Sequence, residues 1–247
     1  HFENTIMCLK KSKAVLCEKP MGMNAEEVKR MIEEAKSRNL FLMEGLWTRF
    51  IPATEKVIEL LEKNVFGELI SMQADFGFKG DSDPESRVYN KKLGGGSLLD
   101  VGIYPIYLSL LTLGIPSDIK AMARLTKTGV DSFCALSFSY ENGAKANLES
   151  TIDADTPTEA HIHGTSGSIK LHRRFHHTEK LTCLHNGVET LLDIKYKGNG
   201  YIHEIEEVNT CLLNHATESS KLPLKTTLDL SILIDRVKEK IGLDYDT

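Results

Sequence analysis

The sequence predicts two fold classes in succession, a doubly wound α/β segment and then a mostly antiparallel α+β domain. Helical and strand patterns alternate through residues 1–43, an order that is typical of a parallel sheet wound with helices. From residue 117 to residue 195 the pattern changes, and short strand patterns follow one another directly. Turn sequences such as Glu141-Asn142-Gly143 and Asn186-Gly187 separate these strands, as expected for antiparallel hairpins.

This change of pattern predicts a domain boundary near residues 44–50. We therefore assign residues 1–46 to the first domain and residues 47–247 to the second. The helices at the end of the second range are candidates to pack back on the first domain.

Each element of the first domain has a local signal. Residues 3–12 and 25–38 carry apolar side chains at helical spacing, and Asn24 is a favourable N-cap for the second helix. Residues 13–17 and 40–43 are short apolar runs that predict buried strands. The apolar face predicted for the second helix consists of Val28, Met31, Ile32 and Ala35.

The second domain opens with a helix from Pro52 to about Lys63, a strand from Gly67 to about residue 78, and an apolar helix over residues 97–112. A meander of strands follows, at about 118–127, 132–140, 144–152, 158–164, 168–172, 179–184 and 188–193. Two helices end the chain, at about 201–215 and 227–241.

Composition limits the partners that the protein can have. The 247 residues carry a formal net charge of -5 with a pI near 6.0, a surface that repels nucleic acid. We expect no apolar stretch that reaches the ~20 residues needed to span a bilayer. The partner expected is a small-molecule substrate, with no nucleic acid and no membrane.

The five cysteines are an odd, scattered set, which argues against a disulfide framework or a zinc site. The chain opens without the basic region that begins a signal peptide. Both observations predict a reducing, cytoplasmic setting.

The run Cys17-Glu18-Lys19-Pro20 directly follows a predicted parallel strand. Ligands of open α/β sheets bind beyond the carboxyl ends of the strands, so Lys19 would place a cation at the mouth of a cofactor crevice. Such a cation can hold a substrate hydroxyl or lower the pKa of a neighbouring acid. Pro20 can fix an unusual turn, including one with a cis bond. The alternative is an ordinary lysine in a surface loop.

Asp100 and Tyr104 are four residues apart in the predicted helix 97–112, so they share one face. A carboxylate beside a phenol can pass a proton to or from a hydroxyl group. Gly102 allows another segment or a cofactor to approach the helix closely. The alternative is a carboxylate at a helix N-terminus and a tyrosine of the core.

Trp47 and Arg49 lie at the predicted domain boundary. Trp47, which is the only tryptophan, can stack on a flat ring, and Arg49 can meet a phosphate or a carboxylate. The alternative is that Trp47 only anchors the domain interface.

Two further patterns are weaker. Six histidines raise the question of a metal site, but no helical His pair and no nearby carboxylate supports one, so we predict no metal. These histidines are His161, His163, His172, His176, His177 and His185. The run Gly94-Gly95-Gly96 lacks the Lys-Ser/Thr that follows in a phosphate loop, and we interpret it as a connector or close-approach loop.

Taken together, these runs resemble a known family. Glu18-Lys19-Pro20 after the strand, with Asp100-x-Gly102-x-Tyr104 about 80 residues later, is similar to the two signatures of the glucose-fructose oxidoreductase/inositol dehydrogenase family. The resemblance extends over the full chain. It implies an incomplete Rossmann-type doubly wound domain, whose N-terminal part is missing, followed by a mostly antiparallel open-sheet α+β domain.

Further runs resemble one subgroup of that family, whose members are dimeric, NADP-dependent dehydrogenases of trans-dihydrodiols or of sugars such as D-xylose. These runs are Leu16–Gly22, Leu40–Glu44, Trp47–Phe50 and Leu98–Tyr104. The resemblance implies transfer of hydride from a CH–OH group of a small cyclic diol or sugar to NADP, with NAD as a possible substitute. It also implies a homodimer formed through the open sheet.

The resemblance assigns roles to residues. Lys19 and Tyr104 would be the catalytic pair, with Asp100 supporting them. Tyr104 would take the hydroxyl proton, and Lys19 would stabilise the oxyanion and keep the phenol at a usable pKa. An equally defensible version gives the proton transfer to Asp100 or Lys19.

The resemblance also implies binding residues. Those around the nicotinamide half of the cofactor would be Glu18, Lys19, Pro20, Trp47 and Arg49. Those lining the substrate pocket would be Trp47, Phe76 and Tyr104.

The sequence departs from the family in one respect, since it contains no Gly-x-Gly-x-x-Gly turn to hold the cofactor pyrophosphate. By analogy, His1 matches a point past the first strands, and two further βα units would add on the order of 60–80 residues. We expect a shortened sequence, with a natural short form as the alternative. The functional alternatives are a sugar or inositol dehydrogenase with another substrate, and a catalytically silent protein that keeps the sheet as a dimer surface.

Overall fold

The computed structural model describes residues 1–81 and 83–245. Within these residues, the contacts between Cα atoms divide the chain into two compact units. Unit 1 consists of residues 1–51 and 196–235. Unit 2 consists of residues 52–195 together with the residues from 236 onward. The domain boundary expected after residue 46 stays a prediction.

The helices and strands agree with the predicted ones, with ends shifted by a few residues. The helices are α1 (Phe2–Lys10), α2 (Ala25–Ser37), α3 (Pro52–Glu62), α4 (Ile103–Leu113), α5 (Ile202–Leu213) and α6 (Leu224–Ile241). The strands are β1 (Val15–Glu18), β2 (Leu42–Gly45), β3 (Leu69–Gly77), β4 (Asp118–Leu125), β5 (Asp131–Ser139), β6 (Lys145–Thr151), β7 (Ala160–Gly164), β8 (Gly167–Leu171), β9 (Lys180–His185) and β10 (Val188–Asp193). Short 3-10 turns form at Trp47–Phe50, Lys91–Leu93 and Phe175–His177.

In unit 1, β1 and β2 pair in parallel, which confirms the α/β alternation expected from the sequence. The register places Cys17 opposite Glu44 and Glu18 opposite Gly45. Helix α2 begins as predicted, because the Asn24 side chain accepts a hydrogen bond from the N–H of Glu27 at 2.9 Å. The core of the unit contains the whole predicted face of α2, and consists of Leu9, Cys17, Met21, Val28, Met31, Ile32, Ala35, Leu42 and Leu224.

Unit 2 is built on an eight-stranded sheet in the order β10-β9-β8-β7-β3-β6-β5-β4. The predicted meander is wrong at one point, since β3 lies between β6 and β7 and is parallel to β6. Met72 and Ala74 of β3 are buried, as expected for a central strand. Turn sequences report only which strands follow one another along the chain, so they did not reveal an earlier strand inserted among later ones.

The predicted helix 97–112 is also not continuous. Residues Leu98–Gly102 form a π-helical segment, and only Ile103–Leu113 form the α-helix α4.

The stretch Lys91–Leu113 is long and apolar enough, by length and composition alone, to cross a bilayer, which contradicts our expectation of no such stretch. However, 78% of its most apolar window is buried in the structure, which is typical of a core helix.

The two faces of the sheet differ in burial. Cys134, Leu136 and Phe138 of β5 face the core and are buried, whereas the alternating residues Phe133, Ala135 and Ser137 are half-buried. The second face carries a concavity of about 690 Å³. Its lining includes Gln73, Met122, Ala135, Asn147 and His161.

Candidate functional site

The Glu18-Lys19-Pro20 run forms a turn at the carboxyl end of β1, in unit 1. Glu18 is exposed, while Lys19 and Pro20 are half-buried. The Lys19–Pro20 peptide bond is cis, as the sequence allowed. Met21 follows as a buried residue, and its N–H donates a hydrogen bond to Glu44 Oε1 at 2.9 Å. The turn is therefore held from below by a side chain of the neighbouring strand.

Glu44, at the end of β2, is a functional candidate that the sequence analysis did not single out. Its residue is only 3% exposed, and burial raises the pKa of its carboxyl to about 7. The N–H of Met21, the hydroxyl of Thr227 and the charge of Lys19 each oppose this rise in pKa. A carboxyl that changes its charge near neutral pH therefore lies within electrostatic reach of Lys19. The register of the parallel pair, which places Glu44 opposite Cys17, is known only from the structure, so the sequence carried no signal for this role.

Trp47 and Arg49 are both buried in the 3-10 turn that follows β2. The Trp47 ring stacks on the ring of Tyr201, with centroids 4.3 Å apart and planes at 17°. Gly200 permits this approach, because a Cβ there would lie 2.8 Å from Trp47 Cζ3. Arg49 Nε donates a hydrogen bond to the carbonyl of Lys221 at 2.8 Å, so part of its guanidinium binds the backbone of unit 1.

Tyr201 and Glu204 lie at the start of α5 and were also missed by the sequence analysis. Glu204 is 6% exposed, and burial, followed by the Glu18 carboxylate, raises its pKa to about 7. Burial and the same two carboxylates raise the pKa of the Tyr201 phenol. The exposed Glu18 thus has a carboxyl and a phenol as electrostatic neighbours within unit 1.

In unit 2, Asp100 lies within the π-helical segment, with its side chain 12% exposed. Arg87 Nη2 donates to both carboxylate oxygens of Asp100, at 3.0 and 3.1 Å. Gly102 is the close-approach position that the sequence suggested, since a Cβ there would lie 2.9 Å from Ser150 Oγ on β6. The close neighbour is therefore another segment of the same unit.

Tyr104 begins α4 and is buried in an aromatic cluster with Phe76 and His176. The Tyr104 and Phe76 rings have centroids 5.5 Å apart, so two predicted substrate-lining residues are brought together. The His176 ring stacks on Phe76 at 4.4 Å and lies 4.9 Å from Tyr104. The sequence analysis considered His176 only as a metal ligand and missed this place beside the predicted catalytic phenol.

The histidines of β7 lie as the strand period predicts. The rings of His161 and His163 share one face with their centroids 6.3 Å apart. Among residues 1–81 and 83–245, the structure contains no group of three or more His, Cys, Asp or Glu side chains arranged to hold a metal ion.

Comparison with known proteins gives two family matches and a set of relatives. Residues 1–46 match the oxidoreductase family with an NAD-binding Rossmann fold, and residues 54–170 match the GFO/IDH/MocA C-terminal domain. The trans-1,2-dihydrobenzene-1,2-diol dehydrogenase of Mus musculus is 32% identical over 255 residues, covering 99% of this chain and 75% of the relative. The enzymes of that name from Danio rerio and Homo sapiens are 34% and 32% identical and are likewise covered over 75% of their length.

Solved structures share the fold at lower identity. A 3-ketoreductase from Actinomadura kijaniata, in complex with NADP and TDP-benzene, has a TM-score of 0.84 at 23% identity, with 98% of this chain and 75% of that chain covered. An aldose-aldose oxidoreductase from Caulobacter crescentus has a TM-score of 0.88 at 21% identity, with 98% and 74% covered. A levoglucosan dehydrogenase, in complex with NADH and levoglucosan, has a TM-score of 0.85 at 20% identity, with 98% and 75% covered. The two family matches and the identity to the dehydrogenases establish that this chain belongs to the GFO/IDH/MocA family of oxidoreductases.

Proposed function

We propose that the protein is an NADP-dependent dehydrogenase of small cyclic diols or sugars, with trans-dihydrodiols of arenes and D-xylose as substrates. The observation that carries the proposal is the cluster in which the half-buried Phe76 and the buried His176 place flat rings beside the buried phenol of Tyr104. Such a wall suits a small ring that carries hydroxyl groups. The relatives named trans-1,2-dihydrobenzene-1,2-diol dehydrogenase, at 32% to 34% identity, support the substrate class.

The residues of unit 1 fit the nicotinamide half of a dinucleotide. Lys19 follows the end of a parallel strand, where open α/β sheets bind ligands, and the stacked rings of Trp47 and Tyr201 offer a flat surface. The residues that would hold the cofactor are Glu18, Lys19, Pro20, Trp47 and Arg49. The nicotinamide supplies, when bound, the carbon that accepts hydride. The 3-ketoreductase solved with NADP favours NADP, and the levoglucosan dehydrogenase solved with NADH keeps NAD as the second choice.

The side chains of this chain handle the proton and the developing charge. Tyr104 takes the proton of the reacting hydroxyl, and the ammonium of Lys19 stabilises the oxyanion and favours ionisation of the phenol. Asp100, held by Arg87, supports this transfer as a fixed negative charge. Phe76 and His176 keep water from the phenol. Proton transfer by Asp100 or Lys19 is the alternative assignment.

The test is the rate of NADP reduction by the purified protein with benzene trans-dihydrodiol and with D-xylose, followed by the absorbance of the reduced cofactor. We expect turnover of at least one substrate, and a higher kcat/KM with NADP than with NAD. Bound NADP without turnover of either substrate would rule out the proposal.

A sugar or inositol dehydrogenase with another substrate is the second candidate. His176 favours it, because an imidazole in the aromatic wall can hydrogen-bond a polyol hydroxyl, which a wall of hydrocarbon rings cannot. A panel of inositols, aldoses and anhydrosugars under the same assay separates the two candidates.

We also propose that the protein is a homodimer formed through the second face of the sheet of unit 2. The half-buried residues of β5 and the 67% exposed Met122 on that face support it. Sedimentation velocity tests this, with Met122→Lys expected to shift the dimer towards monomer.

A cytoplasmic location is proposed as well. All five cysteines are free in the structure, which suits a reducing compartment. Microscopy of the tagged protein tests the location.

A further inference from the structure

The carboxylate of Asp131, at the start of β5, is bound to the first residues of the π-helical segment of unit 2. Asp131 is 0% exposed. Its Oδ2 accepts hydrogen bonds from Ser97 Oγ at 2.6 Å and from the N–H of Leu98 at 2.8 Å. The N–H groups of the first helical turn have no partner within the helix and carry the positive end of its dipole. Asp131 thus acts as an N-cap that comes from a strand 33 residues further along the chain.

The chain around this contact has been shaped to admit the carboxylate. Gly96 has φ +111°, and a Cβ there would lie 2.3 Å from Asp131 Oδ1. The carbonyl of Gly95 accepts a hydrogen bond from the phenol of Tyr245 at 2.6 Å. Gly96 therefore has a specific role in the run of three glycines, since it allows the close approach of Asp131 to the start of the segment.

The far end of the segment is tied to the same group of side chains. Ser97 Oγ lies 2.9 Å from Ser150 Oγ on β6, and Gly102 packs against that same Ser150 Oγ. Asp131, Ser97 and Ser150 therefore join both ends of Leu98–Gly102 to the sheet. Asp100 lies within this segment, and Tyr104 follows it by two residues.

We propose that Asp131 is a positioning residue, which sets the rotation of the π-helical segment and thereby aims Asp100 and Tyr104 at the reacting hydroxyl. This inference rests on the proposed function for its kinetic consequence, although the anchoring itself does not. In an α-helix, successive residues are separated by a rotation of about 100° about the axis. A small rotation of the segment would therefore turn the side chains of Asp100 and Tyr104 away from the reacting hydroxyl.

The ionised form of Asp131 is costly at this buried position. Burial raises the pKa of Asp131 to about 6, although the Ser97 hydroxyl and the Leu98 N–H oppose the rise. Two groups near the carboxylate, Cys134 and Tyr245, are themselves acids, and burial and Asp131 raise their pKa values. Above pH 6 the carboxylate therefore costs stability, which suits a group that is kept for orientation.

The experiment compares Asp131→Asn with Asp118→Asn, an exposed aspartate at the start of the adjacent strand β4. The Asp131 variant keeps the shape and an acceptor oxygen but loses the charge. We expect kcat to fall by about 10- to 100-fold while KM and the Kd for NADP change by less than about 3-fold. The melting temperature at pH 8 should stay level or rise, and the control should match the wild type.

Hydrogen exchange gives a second readout that needs no turnover. We expect the amides of residues 97–103 to exchange at least about 5-fold faster in Asp131→Asn, with the rest of unit 2 unchanged. Unchanged exchange and unchanged kcat would overturn the proposal, as would a kcat that falls only in proportion to unfolded protein. If the wild type turns over no substrate, the proposed function fails, whereas the exchange result still decides whether Asp131 anchors the segment.

A second variant covers the case in which Asp131→Asn does not fold. Ser97→Ala removes the links to Asp131 and Ser150 but leaves the Leu98 contact in place. We expect a smaller fall in kcat, about 3- to 10-fold, with the same local increase in exchange. No effect of Ser97→Ala on either quantity would count against the proposal.

Discussion

The two segments that carry the predicted catalytic residues are supported in different ways. The Lys19 turn of unit 1 is held by the buried carboxyl of Glu44, which accepts from the Met21 N–H and is within electrostatic reach of the lysine. The Cys17 thiol, which donates to the carbonyls of Glu18 and Met21, also supports this turn.

The Asp100–Tyr104 segment of unit 2 is supported by the Asp131 carboxylate, by the hydroxyls of Ser97 and Ser150, and by the close contact at Gly102. The carboxylate of Asp100 itself forms an ion pair with the exposed Arg87.

The difference shows which property each support can control. Glu44 makes the electrostatic environment of Lys19 depend on pH, because the charge of the Glu44 carboxyl changes near neutrality. The second support also contains an ionisable group, Asp131, whose pKa is raised to about 6, but its members hydrogen-bond to one another and to the backbone of the segment. This network controls geometry, because moving any one member breaks hydrogen bonds to the others. The predictions below probe this contrast.

The largest expected effect is the loss of a catalytic group. Lys19→Met and Tyr104→Phe should each lower kcat/KM by about 10²- to 10⁴-fold, because each removes a charge or a proton acceptor from the transition state. Steady-state kinetics with the better substrate measures this. Lys13→Met, at an exposed position before β1, is the matched control and should retain activity. A Lys19→Met variant within about 3-fold of wild type would exclude the lysine from catalysis.

The next effect concerns the charge at Glu44. Its pKa is raised to about 7 from an ordinary 4.5, so its stabilising effect is complete below pH 4.5 and is lost as the pH rises through 7. Glu44→Gln should therefore increase the free energy of unfolding at pH 8 by about 2–3 kcal/mol and change it little at pH 4.5. Urea denaturation at the two pH values measures this.

The same Glu44→Gln variant should change the pH profile of kcat, since the lysine loses a titrating neighbour. Glu34→Gln on α2 is the control, because the half-buried Glu34 forms an i,i+4 ion pair with Arg38. A Glu44→Gln variant that is less stable than the wild type at pH 8 would show that the Glu44 carboxylate stabilises the fold. The proposed difference between the supports of the two segments would then be wrong.

A smaller effect concerns the close contact in unit 2. Gly102→Ala should lower the free energy of unfolding by about 1–2 kcal/mol, because the added methyl meets a hydrogen-bonded Ser150 Oγ at 2.9 Å. Ser150→Ala in the same chain should recover most of this loss, which a double-mutant cycle measures. Additive losses would mean that the two residues do not press on each other.

The smallest effect is expected for the exposed ion pair. The Arg87 side chain is 61% exposed, so Arg87→Ala should change the free energy of unfolding by less than about 1 kcal/mol. Its influence on kcat should fade at high salt, because an exposed charge is screened. A loss of stability beyond 2 kcal/mol, roughly the range of buried pairs, would show that Arg87 belongs to the buried support of the segment.

Much of the molecule was predictable because its signals are local. The helical spacing of Val28 and Met31, the cap at Asn24 and the turns between strands each involve residues within a few positions of one another. Phe76 and Tyr104 were paired only through the family resemblance, and the structure brings their rings together.

The missed features all depend on residues far apart in the chain. Glu44 accepts from Met21, which lies 23 positions before it, and Asp131 caps a helical segment that begins 33 positions before it. His176 packs on Phe76, which lies 100 positions before it (176 − 76). The insertion of β3 between β6 and β7 was missed for the same reason.

The amino-acid sequence by itself determined the elements, the two fold classes and the family, because helix and strand periods and short motifs are properties of neighbouring residues. The tertiary structure alone decided which buried acids support those motifs. Burial and long-range contact set the pKa of Glu44 and the anchoring role of Asp131, and neither leaves a mark in the residues adjacent to them.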